Sequence, residues 1–183
     1  IHLAEAVDSD VLNLLNDQKL VSVFGGGSES GRRALGNRSI LADPRSSSMK
    51  DIINEKVKHR QSFRPFAPSI LREEVSNWFT TDQSSPYMSF VLTFKDDKKD
   101  LVPAVNHINN TARLQSVTEN DNKWYYSFLS EWNNLTGIPI LLNTSFNDRE
   151  PICETPAHAL ACFLRTNIDY LYFYDYGILV SKK

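Results

Sequence analysis

Hydrophobic and polar residues recur along this chain at two periods, and the switches between them outline its elements. Val11, Leu12, Leu14 and Leu15 fall at helical spacing, which predicts a short helix over 10–19 with Asp8 or Ser9 as its cap. The run LVSVF at 20–24 reads as a buried strand, and the glycines of 25–33 mark a turn after it. The serines at 46–48 offer N-caps to a helix that gathers Met49, Ile52, Ile53 and Val57 on one face. Prolines make 62–71 extended or irregular, and a short helix is expected over 72–79. MSFVLTF at 88–94 alternates as a strand, a charged turn follows at 96–100, and 111–118 is a further strand candidate. The strongest helical stripe is Trp124, Phe128, Leu129, Trp132 and Leu135 within 120–135, with Gly137 as its stop. A buried strand is expected at 138–142, and Thr155 with Pro156 caps a helix running to Leu164. Segments 169–174 and 178–181 close the chain as strands. Helices and strands interleave from end to end, which predicts an α/β (α+β) domain built on one open mixed sheet. No repeat or low-complexity linker interrupts the pattern, so 1–183 is expected to be a single domain.

Composition narrows the function classes. The chain has 183 residues, 41% of them hydrophobic, enough for one sizeable core. A formal net charge of −2 argues against a general nucleic-acid coat or a polybasic membrane binder. Apolar runs such as 138–142 are too short to span a bilayer. No basic-then-apolar leader opens the sequence, and Cys153 and Cys162 make no disulfide framework, so the cytoplasm is the expected compartment. A first residue of Ile1 rather than Met points to a piece of something longer. Assembly state stays open, with a homodimer one option.

Positive charge is nevertheless concentrated. Lys56, Lys58, Arg60 and Arg64 fall within NEKVKHRQSFRPFAP at 54–68. A charge run is ordinarily a solvated face. The alternative is an anion site. Arg64 is flanked by Phe63, Pro65, Phe66 and Pro68, and an arginine held in a packed wall presents a rigid fork to phosphate or carboxylate. Lys58 and Arg60, two apart, aim at one anion wherever the backbone is extended. These residues balance the two readings evenly. The stretch GGSESGRR at 26–33 imitates a phosphate loop, but Arg32 and Arg33 stand where Lys and then Ser or Thr are required. An anion site of backbone N–H groups and arginines is preferred to a true P-loop. LLNTSFN at 141–147 is a buried strand that ends in Asn143, Thr144, Ser145 and Asn147. Ligands bind at such strand ends in α/β sheets, although an ordinary polar turn has the same composition. HINNTARLQ at 107–115 places Arg113 on a strand-like stretch, where it must reach water or an anion, while His107 alone is more often structural.

Taken together, RALGNRSILADPR at 33–45, NEKVKHR, FRPFAPS, TARLQSV and LLNTSFN resemble the C-terminal domain of the nodulation-protein-type O-carbamoyltransferases. The resemblance runs from about Val21 to Val180. It implies a YrdC-like fold, an open twisted sheet with flanking helices. In that family carbamoyl phosphate and ATP form carbamoyl adenylate there, releasing pyrophosphate and phosphate. A Kae1-like N-terminal domain in cis, which carries iron, then transfers the carbamoyl group to a hydroxyl. YrdC-like sites carry Lys-x-Arg and Ser-x-Asn pairs, matched here by Lys58 with Arg60 and by Ser145 with Asn147. The resemblance implies Lys58, Arg60 and Arg33 as catalytic cations. It puts Arg64, Ser145, Asn147, Asn143 and Arg113 on nucleotide or phosphate groups, and His107, Gln115 and Glu29 near the carbamoyl group. Magnesium is expected with ATP, with no ligands that the sequence names. Cys153 and Cys162 bracket only His158, which is no zinc spacing, so no iron or zinc is expected here. The family's glycine-turn pattern is kept at Glu29 and Arg33 and altered at Gly25, Gly27, Ser30 and Arg32. Its His-Val-Asp-Gly reads His107-Ile108-Asn109-Asn110 here. The competing functions are an RNA-binding module, which near-neutral charge counts against, and a degenerate regulatory nucleotide-binding domain, which the altered turn permits.

Overall fold

The computed structural model describes residues 1–29, 31 and 33–182. Its strands are β1 (His2–Glu5), β2 (Val21–Phe24), β3 (Arg38–Ala42), β4 (Ala67–Leu71), β5 (Val91–Thr93), β6 (Thr111–Arg113), β7 (Gln115–Val117), β8 (Ile140–Ser145), β9 (Tyr170–Phe173) and β10 (Ile178–Ser181). Its helices are α1 (Asp8–Asn16), α2 (Met49–Lys56), α3 (Val75–Trp78), α4 (Lys123–Thr136) and α5 (Pro156–Arg165). The main sheet runs in the order β1-β10-β9-β2-β3-β8-β4-β7, and β5 with β6 forms a separate hairpin. β2 with β9 and β4 with β7 pair in parallel; the other pairs are antiparallel. This is the open mixed sheet with flanking helices that the sequence predicts.

Successive side chains on a strand face opposite ways, so the central strands feed two cores. Val21, Val23, Leu41, Leu141 and Tyr172 pack with Val11, Leu12 and Leu15 of α1 and with Phe128, Leu129 and Trp132 of α4. Phe24, Ile40, Ala42, Leu142 and Leu171 pack with Met49 and Ile53 of α2 and with Cys162 and Phe163 of α5. The helix ends follow local chemistry. Asn122 Oδ1 accepts the Tyr125 N–H at 3.0 Å to cap α4, and Gly137, at φ +73°, closes it. Thr155 caps α5 ahead of Pro156, as read from the sequence. α1 instead starts after Val7, because Asp10 reaches back to the Val7 N–H at 2.9 Å.

The structure departs from the sequence reading at the sheet centre and around the site. β3 escapes the hydrophobic pattern because all five of its residues are buried, Arg38 and Ser39 included, so no alternation is visible. Segment 111–118 divides at Leu114: β6 pairs with β5 in the hairpin, while β7 pairs with β4 in the main sheet. β8 begins at Ile140 and continues to Ser145, so Asn143 and Ser145 are strand residues paired with Leu41 and Ser39 of β3. The expected aromatic wall at 63–68 is buried only in its second half. Phe63 is 76% exposed and Arg64 and Pro65 are also exposed, whereas Phe66 is 3% exposed. Burial starts there because β4 joins β8 only from Ala67.

One glycine fixes how the loop before β3 meets the helix layer. Gly36 adopts φ +118°, and a Cβ at this position would stand 2.6 Å from the Tyr125 ring. Both the backbone and the space exclude a side chain. Gly36→Ala is expected to destabilise the fold by about 1–3 kcal/mol, read from the urea midpoint. An unchanged midpoint would show that the loop does not press on α4.

Candidate active site

The turn after β2 is shaped by a carboxylate. Glu29 Oε1 accepts the N–H groups of Leu35 and Asn37 at 2.9 and 3.0 Å, and Oε2 accepts that of Arg38 at 3.1 Å. Burial raises the Glu29 carboxyl above its ordinary value, while these amides and Arg38 pull the other way. Asn37 extends the brace, donating to the Gly27 carbonyl at 3.0 Å and accepting from Asn122 and Tyr174 at 2.8 Å each. The chain is thereby folded so that Arg33 and Ala34 sit over the end of β8. Ser30 and Arg32, singled out in the altered glycine turn, lie outside the described residues.

A buried amide network lies beneath this loop. Asn143 on β8 donates through Nδ2 to Ala34 O at 3.0 Å, Ser69 Oγ at 3.0 Å and Gln115 Oε1 at 2.9 Å. Ser69 of β4 donates to Gln115 Oε1 at 2.7 Å, and Gln115 of β7 donates to Leu35 O at 3.0 Å. Three strands and the loop are tied by side chains that are each no more than 3% exposed. Gln115 therefore sits behind the site and holds it.

The cavity in front has a volume of about 220 Å³. Arg33, Arg60, Arg113, Asn143, Thr144 and Ser145 give it polar walls, and Phe66, Ala67 and Met88 are among its apolar ones. Arg60 is held by its Nε, which donates to Asn54 Oδ1 at 2.7 Å, while the guanidinium lies 4.7 Å from the centre of the Phe66 ring. Burial lowers the Arg60 guanidinium, with Arg64 adding to the effect. Arg113 is lowered in the same way, by burial first and by Arg33 second. No acidic side chain lines this cavity among the described residues. The buried Nε of Arg113 and Oδ1 of Asn143 have no hydrogen-bond partner among them. Desolvated Arg60 and Arg113 on one cavity whose described lining holds no carboxylate mark a candidate anion site. A larger cavity of about 420 Å³ lies at the other end of β2 and β9, lined by Lys19, Lys56 and Lys182. Two of its charged groups are engaged: Lys182 donates to Thr166 O, and Asp169 accepts the Leu20 N–H.

The remaining sequence-derived residues divide by position. Lys58 and Arg60 diverge, because His59 between them adopts φ +46° rather than the extended backbone that would aim both at one anion. Lys58 Nζ contacts Ser145 O at 2.6 Å and Asn147 O and Oδ1 at 2.8 Å each, so its ammonium braces the end of β8 from behind. Asn147 also accepts from Ser145 Oγ at 2.7 Å. Arg64 is exposed and off the cavity wall, since the chain there leaves the sheet. His107 is bonded to the Phe66 carbonyl, and burial lowers its imidazole. Sequence reasoning missed Asn54, which is 1% exposed and fixes both Arg60 and the carbonyls of Ser62 and Arg64. It also passed over Met88, a cavity residue at φ +55°. A polar residue on the apolar face of α2 was the signal for Asn54; Met88 left none.

The Carbamoyltransferase C-terminus family matches residues 12–181. The chain belongs to this family. It is 43% identical over 187 residues to nodulation protein NolNO of Sinorhizobium fredii, covering 100% of this chain and 27% of that protein. Nodulation protein U of the same organism is 42% identical over 146 residues, covering 80% of this chain and 26% of its own length. The chain thus spans about a quarter of each of these curated relatives. Full-length HypF, solved in a phosphate- and nucleotide-bound form, shares the fold with a TM-score of 0.57 at 18% identity, over 84% of this chain and 22% of HypF. No helix among the described residues is long and apolar enough to cross a membrane.

The brace in this carbamoyltransferase C-terminal domain has a pH signature. Burial, reinforced by Arg60, lowers Lys58 to about 8, against about 10.4 in an unfolded chain. Between these values the unfolded chain holds the proton more tightly, so stability rises with pH across that window. Wild type is expected to gain stability relative to Lys58→Met between about pH 8 and pH 10.4, read as the difference between their urea curves. A difference that stays flat would mean that Lys58 is not desolvated.

Proposed function

We propose that this domain binds carbamoyl phosphate and ATP and forms carbamoyl adenylate, as one half-reaction of an O-carbamoyltransferase. The observation that carries the reading is the cavity at the end of β8 that Arg33, Arg60 and Arg113 wall together and whose described lining holds no acidic side chain. Family membership supports the carbamoyl chemistry. Water releases phosphate from carbamoyl phosphate and leaves carbamate. A carbamate oxygen then attacks the α-phosphorus of ATP, and pyrophosphate departs. Both partners of that second step are anions, so positioning and charge neutralisation provide most of the catalysis. Arg60, stacked on Phe66 and held by Asn54, and Arg113 on β6 are mounted with little freedom to reorganise. Ser145 and Thr144 offer hydroxyls at the same strand end. Lys58 holds that strand end in place through Ser145 and Asn147.

At about 220 Å³ the cavity is smaller than the roughly 300–1,000 Å³ usual for larger small-molecule ligands. It suits the carbamoyl and phosphoryl end of the reaction, with the nucleoside extending beyond it. Magnesium does not fit this lining, which is cationic and offers no described carboxylate. No described group of His, Cys, Asp and Glu elsewhere forms a metal cluster. The metal would enter as the counter-ion of ATP. Transfer to the final hydroxyl would fall to a Kae1-like domain in cis, consistent with the share of the relatives that lies outside this chain. The unpaired Cys153 and Cys162 suit a cytoplasmic setting.

Arg60→Ala and Arg113→Ala are each expected to lower carbamoyl-phosphate-dependent pyrophosphate release from ATP by roughly 10- to 100-fold, the scale of a hydrogen bond to a charged group. Lys123→Ala, at an exposed site on α4, is expected to change nothing. Equal release by all of these proteins would overturn the proposal.

A further inference from the structure

We infer that Asn54 is a positioning residue for substrate recognition: it occupies Nε of Arg60, so that Arg60 grips an anion end-on, through its two Nη groups. This rests on the proposed function and adds to it how one of the cations is aimed. Asn54 lies on α2 and is 1% exposed, so its part is played through Arg60 and not by touching a ligand. Its amide has one possible orientation. Nδ2 donates to the carbonyls of Ser62 at 3.3 Å and Arg64 at 3.0 Å, which a side-chain oxygen could not do. Oδ1 is therefore the acceptor for Arg60 Nε, at 2.7 Å. The Asn54 carbonyl also accepts the Arg60 backbone N–H at 3.1 Å. Backbone and side chain of Arg60 are thus anchored to one residue, directly after His59 turns the chain at φ +46°.

A guanidinium offers an anion two edges, one made of Nε with an Nη and one made of both Nη groups. Asn54 occupies Nε, and the Phe66 ring, with its centre 4.7 Å from the guanidinium carbon, covers one face. The edge of two Nη groups remains, on a residue that lines the cavity with Arg33 and Arg113. Two oxygens of one phosphoryl or carboxylate group match that edge in a plane. An arginine fixed in advance loses little freedom when the anion arrives, and that saving appears as affinity. The residue type at 54 follows from the same contacts. An aspartate would hold Nε but offset the positive charge, and it has no N–H for the Ser62 and Arg64 carbonyls. Asparagine supplies a neutral acceptor and two donors, so it orients the cation and leaves the charge to the ligand.

The test is calorimetric binding of carbamoyl phosphate to wild type, Arg60→Ala, Asn54→Ala and the double variant, each checked for folding by its urea curve. Asn54→Ala is expected to weaken binding about tenfold in the wild-type background. Once Arg60 is alanine, the same change is expected to cost no more than about twofold, because no guanidinium is left to aim. A merely structural role would cost the same factor in both backgrounds, and that result would overturn the inference. So would an Asn54→Ala variant that binds as wild type does while Arg60→Ala is weakened, which would leave the anion site standing without Asn54. Should Asn54→Ala not fold, the nitrogen NMR spectrum of the wild type decides. The Arg60 Nε–H signal, assigned by its loss in Arg60→Lys, is expected to hold its position when carbamoyl phosphate is added, with the change confined to Nη. Transfer of the Nε–H to the ligand would overturn the inference. Arg60→Ala that binds carbamoyl phosphate as wild type does, or a wild type that does not bind it, would overturn the proposed function as well.

Discussion

The amide of Asn143 is the joint on which the site depends. One side chain ties β8 to β4 through Ser69, to β7 through Gln115 and to the loop before β3 through Ala34. Its place follows from register, because Asn143 pairs with Leu41 on one side and with Ala67 on the other. A slip of one residue would turn Asn143 to the opposite face and bring Leu142 or Thr144 into the network. The same register sets Ser145 opposite Ser39, where Lys58 meets its carbonyl. Sheet pairing, loop position and cavity wall are thus one structure.

Around that joint the chain gathers positive charge in a cavity whose described lining holds no acidic side chain. Arg33, Arg60 and Arg113 share a small cavity; burial lowers Arg60 and Arg113, with Arg64 adding to the effect on the first and Arg33 on the second. Glu29, the nearby carboxylate, accepts the backbone N–H groups of Leu35, Asn37 and Arg38. Burial of this kind disfavours the charged guanidinium, a cost that the anion proposed to bind here would relieve. Lys58 reaches the same strand end from α2's side, its Nζ donating to Ser145 O and to Asn147 O and Oδ1.

Much of this was legible in the sequence, for identifiable reasons. α4 and α5 announced themselves because capping residues and apolar stripes act within one turn of chain. Arg33, Arg60, Arg113, Asn143 and Ser145 were all singled out, and the fold brings these five together at one cavity. What stayed hidden required three-dimensional information. β3 is buried on both faces and so carries no alternation. The break at Leu114 depends on which strands flank it, and the divergence of Lys58 from Arg60 depends on one backbone angle at His59. Phe63 is aromatic but lies before the first paired residue of β4, so its hydrophobicity predicted a burial that the fold does not provide.

The arginine cavity at the end of β8 is the proposed binding place of the anionic substrate. A crystal structure of the domain grown with carbamoyl phosphate tests it most directly. The account predicts a phosphoryl group within hydrogen-bond distance of the guanidiniums of Arg60 and Arg113, with Asn143 at its side. Carbamoyl phosphate held instead by Lys19, Lys56 and Lys182 at the opposite end of the sheet, with the arginine cavity empty, would contradict it.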